Sequence, residues 1–282
     1  MISDPNCKIN LGLHISSRRP DGYHNLESVF VPVFSLCDEL EITPVADCGA
    51  GDAVSEVAAT AAELYRSDCR FVQEGIPIDG PYDSNLCVKA YRLLREEFGS
   101  RVGAVTMRLR KVIPFGAGLG GGSSDAAFTL RMLNEMFSLG LSDDALCQRA
   151  LRLGADCPFF IRNRAAYVTG IGDQIETIPF DFEGLGLRVV IEKPHDVVST
   201  REAYVSVIPR NLRPETAPSP DLRQALRRPV SEWPHLFVND FEASIFPNHP
   251  LIARLKQQFY DQGALYASMS GSGSAVFALF EK

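Results

Sequence analysis

The clearest hydrophobic pattern in the chain is a strict alternation. From Cys7 to Ile15, the residues Cys7, Ile9, Leu11, Leu13 and Ile15 share one face of an extended strand. Lys8, Asn10, Gly12 and His14 share the other. Lys8 and Asn10 are therefore neighbours on a polar face, which in an ordinary two-sided sheet is solvated. Arg18-Arg19-Pro20-Asp21-Gly22 predicts a turn, with Tyr23 and His24 directly after it. An apolar strand follows from Val29 to Leu36, and another from Asp38 to Thr43. Val105–Val112 alternates again. Val105, Met107 and Leu109 oppose Thr106, Arg108 and Arg110, the mark of a half-exposed strand.

Helical spacing governs the stretches between. Asn85 to Phe98 predicts a helix capped by Asp83 or Ser84 and stopped by Gly99. Ala126, Leu130, Leu133 and Phe137 form the stripe of a second. Ser142 caps a third, with Asp143 and Asp144 in its first turn and Gly154 at its end. Leu251, Ile252, Leu255 and Phe259 predict a fourth, closed by Gly263. After about residue 160 the pattern turns to antiparallel strands. Its markers are Tyr167, the turn at Gly170–Gly172, Leu187–Glu192, and Leu265–Met269 with Ala275–Phe280 around Ser270-Gly271-Ser272-Gly273-Ser274. Pro209 to Pro234 predicts loop with one short helix, and residues 47–82 carry little pattern.

The stretch IPFGAGLGGGSSDAA, Ile113 to Ala127, joins the half-exposed strand to the second helix. Its glycines bare backbone N–H groups to a ligand. A helix N-terminus adds unpaired donors and partial positive charge, so the junction suits a phosphate. Three phosphate loops compete. Gly116, Gly118 and Gly121 satisfy G-x-G-x-x-G, but the Rossmann form needs a strand buried on both faces, which Arg108 and Arg110 contradict. A Walker loop needs Lys after its last Gly, and Ser123 stands there. Asp156, in the run Ala155-Asp156-Cys157-Pro158-Phe159-Phe160, is a carboxylate set in apolar sequence, either a capping or ion-paired group or a functional one.

Composition narrows the class. The 282 residues are 45% hydrophobic and 22% charged, as in a soluble globular protein of one large or two ordinary domains. Seven scattered cysteines without C-x-x-C predict neither disulfides nor zinc, and with no apolar span or signal peptide the expectation is a reduced, cytoplasmic protein away from membranes. A net charge of -7 argues against a nucleic-acid partner and leaves any anionic substrate dependent on local positive groups.

The third phosphate loop is that of the GHMP kinases (galactose, homoserine, mevalonate and phosphomevalonate kinases), which P-x-x-x-G-L-G-G-G-S-S closely resembles. PNCKINLGL, RRPDGYHNLES, the glycine loop, GADCPFFI and MSGSGSAVF occur in this family's order over nearly the whole chain. RRPDGYH resembles one branch of it, which phosphorylates a cytidyl diphosphate sugar alcohol. That branch usually has Ala before its Lys, where this chain has Cys7. The resemblance implies an α+β GHMP kinase fold. An N-terminal α/β ATP-binding domain would span 1–160 and a C-terminal ferredoxin-like α+β domain 161–282. It implies Lys8 and Asp156 as catalytic pair, with ATP and Mg2+ required and no protein metal ligand assigned. It implies Pro114, Phe115, Gly116, Ala117, Gly118, Leu119, Gly120, Gly121, Gly122, Ser123 and Ser124 at the ATP phosphates, with Asn85 near the nucleotide. Asn10, Tyr23, His24 and Tyr204 would contact the cytidyl substrate, in a monomer or weak homodimer. The rival readings are a GHMP kinase for another small alcohol, a dinucleotide-dependent oxidoreductase and an inactive nucleotide-binding module. RRPDGYH, the half-exposed strand, and the presence of both Lys8 and Asp156 weigh against them in turn.

Overall fold

The computed structural model describes residues 1–45, 64–65, 68–78, 80–213 and 221–282. Cys48, most of the weakly patterned 47–82 stretch, and residues 214–220 of the proline-rich segment lie outside the described residues. The chain folds as two compact units, neither of them continuous in sequence.

The first unit comprises Met1–Asn6, Phe34–Phe115 and Gly121–Arg162. Its five-stranded sheet runs in the order Ile2–Ser3, Glu39–Pro44, Val105–Lys111, Cys69–Gly75, Leu64–Tyr65. Only Cys69–Gly75 and Val105–Lys111 pair in parallel. On the exposed face Glu39 lies opposite Arg110 and Glu41 opposite Arg108, charge pairs that suit a half-solvated sheet. The expected alternation holds: Val105, Met107 and Leu109 are fully buried. The helices Leu86–Phe98 and Gly121–Met136 pack together, and Asp143–Leu151 packs on Cys157–Arg162. The first of these helices corrects one expectation. Its cap is Asn85 itself, whose Oδ1 accepts the Cys87 N–H at 2.9 Å, rather than Asp83 or Ser84. Gly99 ends it at φ +58, and Ser142 caps Asp143–Leu151 as expected. That helix stops at Leu151, before Gly154, and Phe137 falls just past the helix whose stripe it was expected to extend.

The second unit comprises Cys7–Val33, Gly116–Gly120 and Asn163–Lys282. The strands Asn6–Arg18, His24–Cys37, Ala166–Thr169 and Gln174–Thr177 form one sheet in that order. Leu187–Glu192, Val276–Glu281 and Tyr266–Met269 form the other, antiparallel throughout. The first strand is not two-sided in the expected way. Every residue from Asn6 to Ile15 is buried, polar positions included, because the loop Gly116–Gly120 and the segment Ser270–Gly271 cover the face of Lys8 and Asn10. The proline-rich stretch holds several short helical turns instead of one, among them Arg210–Leu212, Leu222–Ala225 and Trp233–Leu236. The helix Pro250–Asp261 buries Ile252 and Phe259, while Leu251 is exposed in its first turn. No helix among the described residues is long and apolar enough to cross a membrane. The six described cysteines are all free.

Candidate active site

In the first unit, a cavity of about 430 Å³ opens at the start of the helix Gly121–Met136. Asn85, Phe115, Gly122 and Asp125 line it, together with Gly75 and Tyr82. Of the residues expected at ATP, Asn85, Phe115 and Gly122 thus meet at one cavity. Asn85 Oδ1 is engaged in the cap, its backbone N–H donates to the Tyr82 carbonyl at 3.2 Å and its carbonyl accepts the Lys89 N–H at 3.0 Å, so its side-chain amide N–H group is what it offers there. A Cβ on Gly122 would find only Leu86, at 3.8 Å, so this helical glycine keeps the cavity wall low. Ser124 is fully buried, and its hydroxyl has no hydrogen-bond partner among the described residues. Asp156 stands half-buried in the turn before Cys157–Arg162.

Beneath this cavity lies a cluster the sequence reading missed. Lys111 Nζ forms ion pairs with Asp38 and, at 2.7 Å, with Asp125, and all three side chains are buried. Burial opposes the charge on Lys111, but Asp125 and Asp38 outweigh it and raise its pKa. Burial above all, with Asp38 adding repulsion and Lys111 opposing, pushes the Asp125 carboxyl up to about 7. One signal was available. Lys111 continues the buried register of Val105, Met107 and Leu109, where a lysine is out of place unless paired.

In the second unit, Lys8 is 3% exposed and Asn10 1%. Lys8 Nζ donates to Asn10 Oδ1 at 2.6 Å and to the Gly118 carbonyl at 3.0 Å, and lies 4.7 Å from the centre of the Phe30 ring. Asn10 Nδ2 donates to Ser28 Oγ at 3.1 Å, which fixes its amide. The loop is laced into the unit. Lys8 N–H donates to the Leu119 carbonyl at 2.9 Å, and Ala275 N–H to that of Ala117 at 3.2 Å. Gly116, Gly118 and Gly120 all have positive φ, which only glycine adopts cheaply. The glycine–serine segment near the C-terminus braces this loop: Ser270 Oγ donates to the Gly118 carbonyl at 2.9 Å. Asn239 holds the segment from behind, donating to the carbonyls of Met269 and Gly271, each at 2.8 Å.

The same unit holds a second cavity, of about 760 Å³, whose lining includes Arg18, Tyr23, His24, Thr200, Arg201 and Tyr204. Tyr23 is 61% exposed, its N–H anchored to Asp21 Oδ1 at 3.1 Å. His24 and Tyr204 face each other with ring centres 5.2 Å apart, and the edge of Phe241 props Tyr204 at 4.9 Å. Burial, and then the charge of Arg18, hold the His24 imidazole below its ordinary pKa, which favours the neutral ring. A neutral imidazole can donate from one nitrogen and accept at the other.

Family comparison agrees with this geometry. Residues 85–164 match the GHMP kinases N terminal domain, and 222–282 the GHMP kinases C terminal domain. A 4-diphosphocytidyl-2-C-methyl-D-erythritol kinase of Bacteroides thetaiotaomicron is 48% identical over 281 residues, covering 100% of this chain and 92% of that protein. The chain belongs to the 4-diphosphocytidyl-2-C-methyl-D-erythritol kinase family. A solved 4-(cytidine 5'-diphospho)-2C-methyl-D-erythritol kinase superposes with a TM-score of 0.73 at 31% identity, over 99% of this chain and 90% of that one. A mevalonate kinase structure gives 0.68 at 12% identity over 100% and 91%, a likeness of fold. The α+β GHMP kinase fold expected from the glycine loop is therefore the fold of this family member. RRPDGYH, which pointed to the cytidyl branch, supplies four of the second cavity's lining residues, Arg18, Gly22, Tyr23 and His24.

Proposed function

We propose that the protein transfers the γ-phosphate of ATP to the 2-hydroxyl of 4-diphosphocytidyl-2-C-methyl-D-erythritol, giving the 2-phosphate and ADP in non-mevalonate isoprenoid biosynthesis. The observation that carries this reading is the aromatic cavity of Tyr23, His24 and Tyr204. An aromatic slot with one neutral imidazole suits a flat pyrimidine, and mevalonate, homoserine and galactose have no ring of that kind. Tyr23 and Tyr204 stack on the base and His24 reads its edge, while Asn10 touches the sugar alcohol.

Phosphoryl transfer depends mostly on positioning and on neutralising charge at the moving group. The segment Pro114–Ser124 cradles the phosphates with backbone N–H groups and the helix dipole, and Asn85 borders the nucleotide. Lys8, buried and fixed by Asn10 and Gly118, supplies a localised positive charge. Asp156 accepts the hydroxyl proton late in a loose transition state, where its orientation matters more than its basicity. Among the described residues no group of three or more His, Cys, Asp or Glu could cage a metal. Magnesium would be held chiefly by the nucleotide phosphates, the usual arrangement for this ion, with the Ser124 hydroxyl, which has no partner among the described residues, as a protein oxygen. When bound it neutralises phosphate charge. In chain order, 1–160 serves as the ATP-binding domain and 161–282 as its partner, in a cytoplasmic monomer or weak homodimer.

The test is ADP release with the cytidyl substrate compared with mevalonate, homoserine and galactose. Turnover confined to the cytidyl compound is expected. Equal or faster turnover of another alcohol overturns the reading.

A further inference from the structure

We propose that the buried Asp38–Lys111–Asp125 cluster is a positioning device: it ties the two ends of the glycine-rich loop and holds the loop's helical half in the shape that receives the ATP phosphates. This deepens, and rests on, the assignment of that loop to ATP.

The geometry is a tie. Lys111 closes the strand Val105–Lys111, just ahead of the loop, and Asp125 lies in the first turns of the helix Gly121–Met136, just behind it. Asp38 Oδ1 accepts the N–H groups of Val112 at 2.6 Å and Ile113 at 2.8 Å, fixing the backbone at the loop's entry. Its other oxygen binds Lys111 Nζ. The same ammonium reaches Asp125 Oδ2 at 2.7 Å, fixing the loop's exit. One cation thus joins entry to exit. Gly121 shows how close the fit is. A Cβ there would meet Ile113 Cγ2 at 2.8 Å and Lys111 Nζ at 3.0 Å, so the helix can start this near only with glycine.

Stability is a poor explanation for the cluster. Desolvating a buried ion group costs several kcal/mol per ion, and apolar replacements of similar volume are often neutral or stabilising. Asp125 Oδ1 is buried without a hydrogen-bond partner among the described residues, a further cost. Yet Asp125 lines the cavity that also contains Asn85, Phe115 and Gly122. A costly, directional tie directly under a ligand site fits a role in holding that site's shape.

The experiment uses the full chain and three substitutions at one position, Asp125→Leu, Asp125→Asn and, as a check on folding, Asp125→Ala. Asp125→Leu removes the tie and puts a larger apolar side chain in its place, and Lys111 stays neutralised by Asp38. Asp125→Asn keeps an acceptor for Lys111. The readouts are calorimetric titration with ATP in magnesium buffer, the melting temperature, and KM and kcat for both substrates. The expected result for Asp125→Leu is a folded protein, its melting temperature lowered by no more than a few degrees by the larger side chain, and ATP affinity at least tenfold weaker. KM for the cytidyl substrate and kcat at saturating ATP should stay within about threefold of wild type. Asp125→Asn should restore ATP affinity to within about threefold. Asp125→Leu that folds and binds ATP as wild type does overturns the proposal. So does a failure of both Asp125→Leu and Asp125→Ala to fold, which would make the cluster a support of the fold itself. Failure of the wild type to bind ATP would instead sink the functional reading beneath it.

Discussion

Gly118→Ala is the most informative single change in the second unit. Gly118 sits at φ +75, and a Cβ there would overlap the Ser270 carbonyl group. The left-handed conformation alone costs an alanine about 1–2 kcal/mol. Relieving an overlap in a packed interior adds about 1–3 kcal/mol. The sum is about 2–5 kcal/mol, which for a chain of this size lowers the melting temperature by about 5–15 °C. Function should suffer more than stability. The Gly118 carbonyl is the acceptor that holds Lys8 Nζ at 3.0 Å and Ser270 Oγ at 2.9 Å, and relief of the overlap must move it. Misplacing a catalytic group by about an ångström costs on the order of a hundredfold in rate. Gly116→Ala is the control. It shares the positive φ, at +63, but its Cβ would meet nothing within 4 Å. It should carry the conformational cost alone, a fall of a few degrees, and a smaller loss of kcat/KM than Gly118→Ala. Coupled detection of ADP and thermal fluorimetry on both variants decide the matter. If Gly118→Ala matches Gly116→Ala in both readouts, the Ser270 contact does not hold the loop and the reasoning fails.

Asp156→Ala should lower kcat by about 10²–10⁴ while KM for ATP stays near wild type, the pattern for losing a positioned proton acceptor; near-normal turnover would make Asp156 structural. His24→Ala should raise KM for the cytidyl substrate at least tenfold and flatten the preference for it over the uridyl analogue, checked by steady-state kinetics with both. The Asp125 carboxyl holds its proton up to about 7 in the fold against an ordinary 3.8. Its contribution to stability is therefore complete below about pH 4 and is lost as pH rises through 7. Melting curves from pH 5 to 8 should show Asp125→Asn removing part of the wild type's decline, and parallel curves would refute this.

Much of this arrangement could be read from local pattern. The alternation at Cys7–Ile15 and Val105–Val112, the caps at Ser142 and the glycine stop at Gly99 depend only on near neighbours. So does the glycine loop between strand and helix. What escaped depends on distant partners. The polar face of Lys8 and Asn10 reads as solvated because nothing nearby in sequence announces that Gly116–Gly120 and Ser270–Gly271 cover it. The tie of Asp38, Lys111 and Asp125 joins three separate stretches, and only the misplaced register of Lys111 hinted at it. Asn85 was expected near the nucleotide, but its second duty as the cap was masked by two equally good capping residues before it. Tyr204 could not be distinguished from core by sequence, and in the fold it packs on Phe241 while its ring faces His24.

The order in which the chain leaves the ribosome gives the first strand an unusual history. Leu13 N–H donates to the Val238 carbonyl, and Asp240 N–H donates back to that of Leu13. The hairpin with His24–Cys37 can close early, but these partners are synthesised some 225 residues later. At about 5–20 residues per second, that is a wait of about 10–50 s. Through that interval an apolar strand bearing Ile9, Leu11 and Leu13 must be shielded from other nascent chains. Production of active enzyme should accordingly depend on chaperone supply and elongation rate, even though the finished protein has all three residues buried.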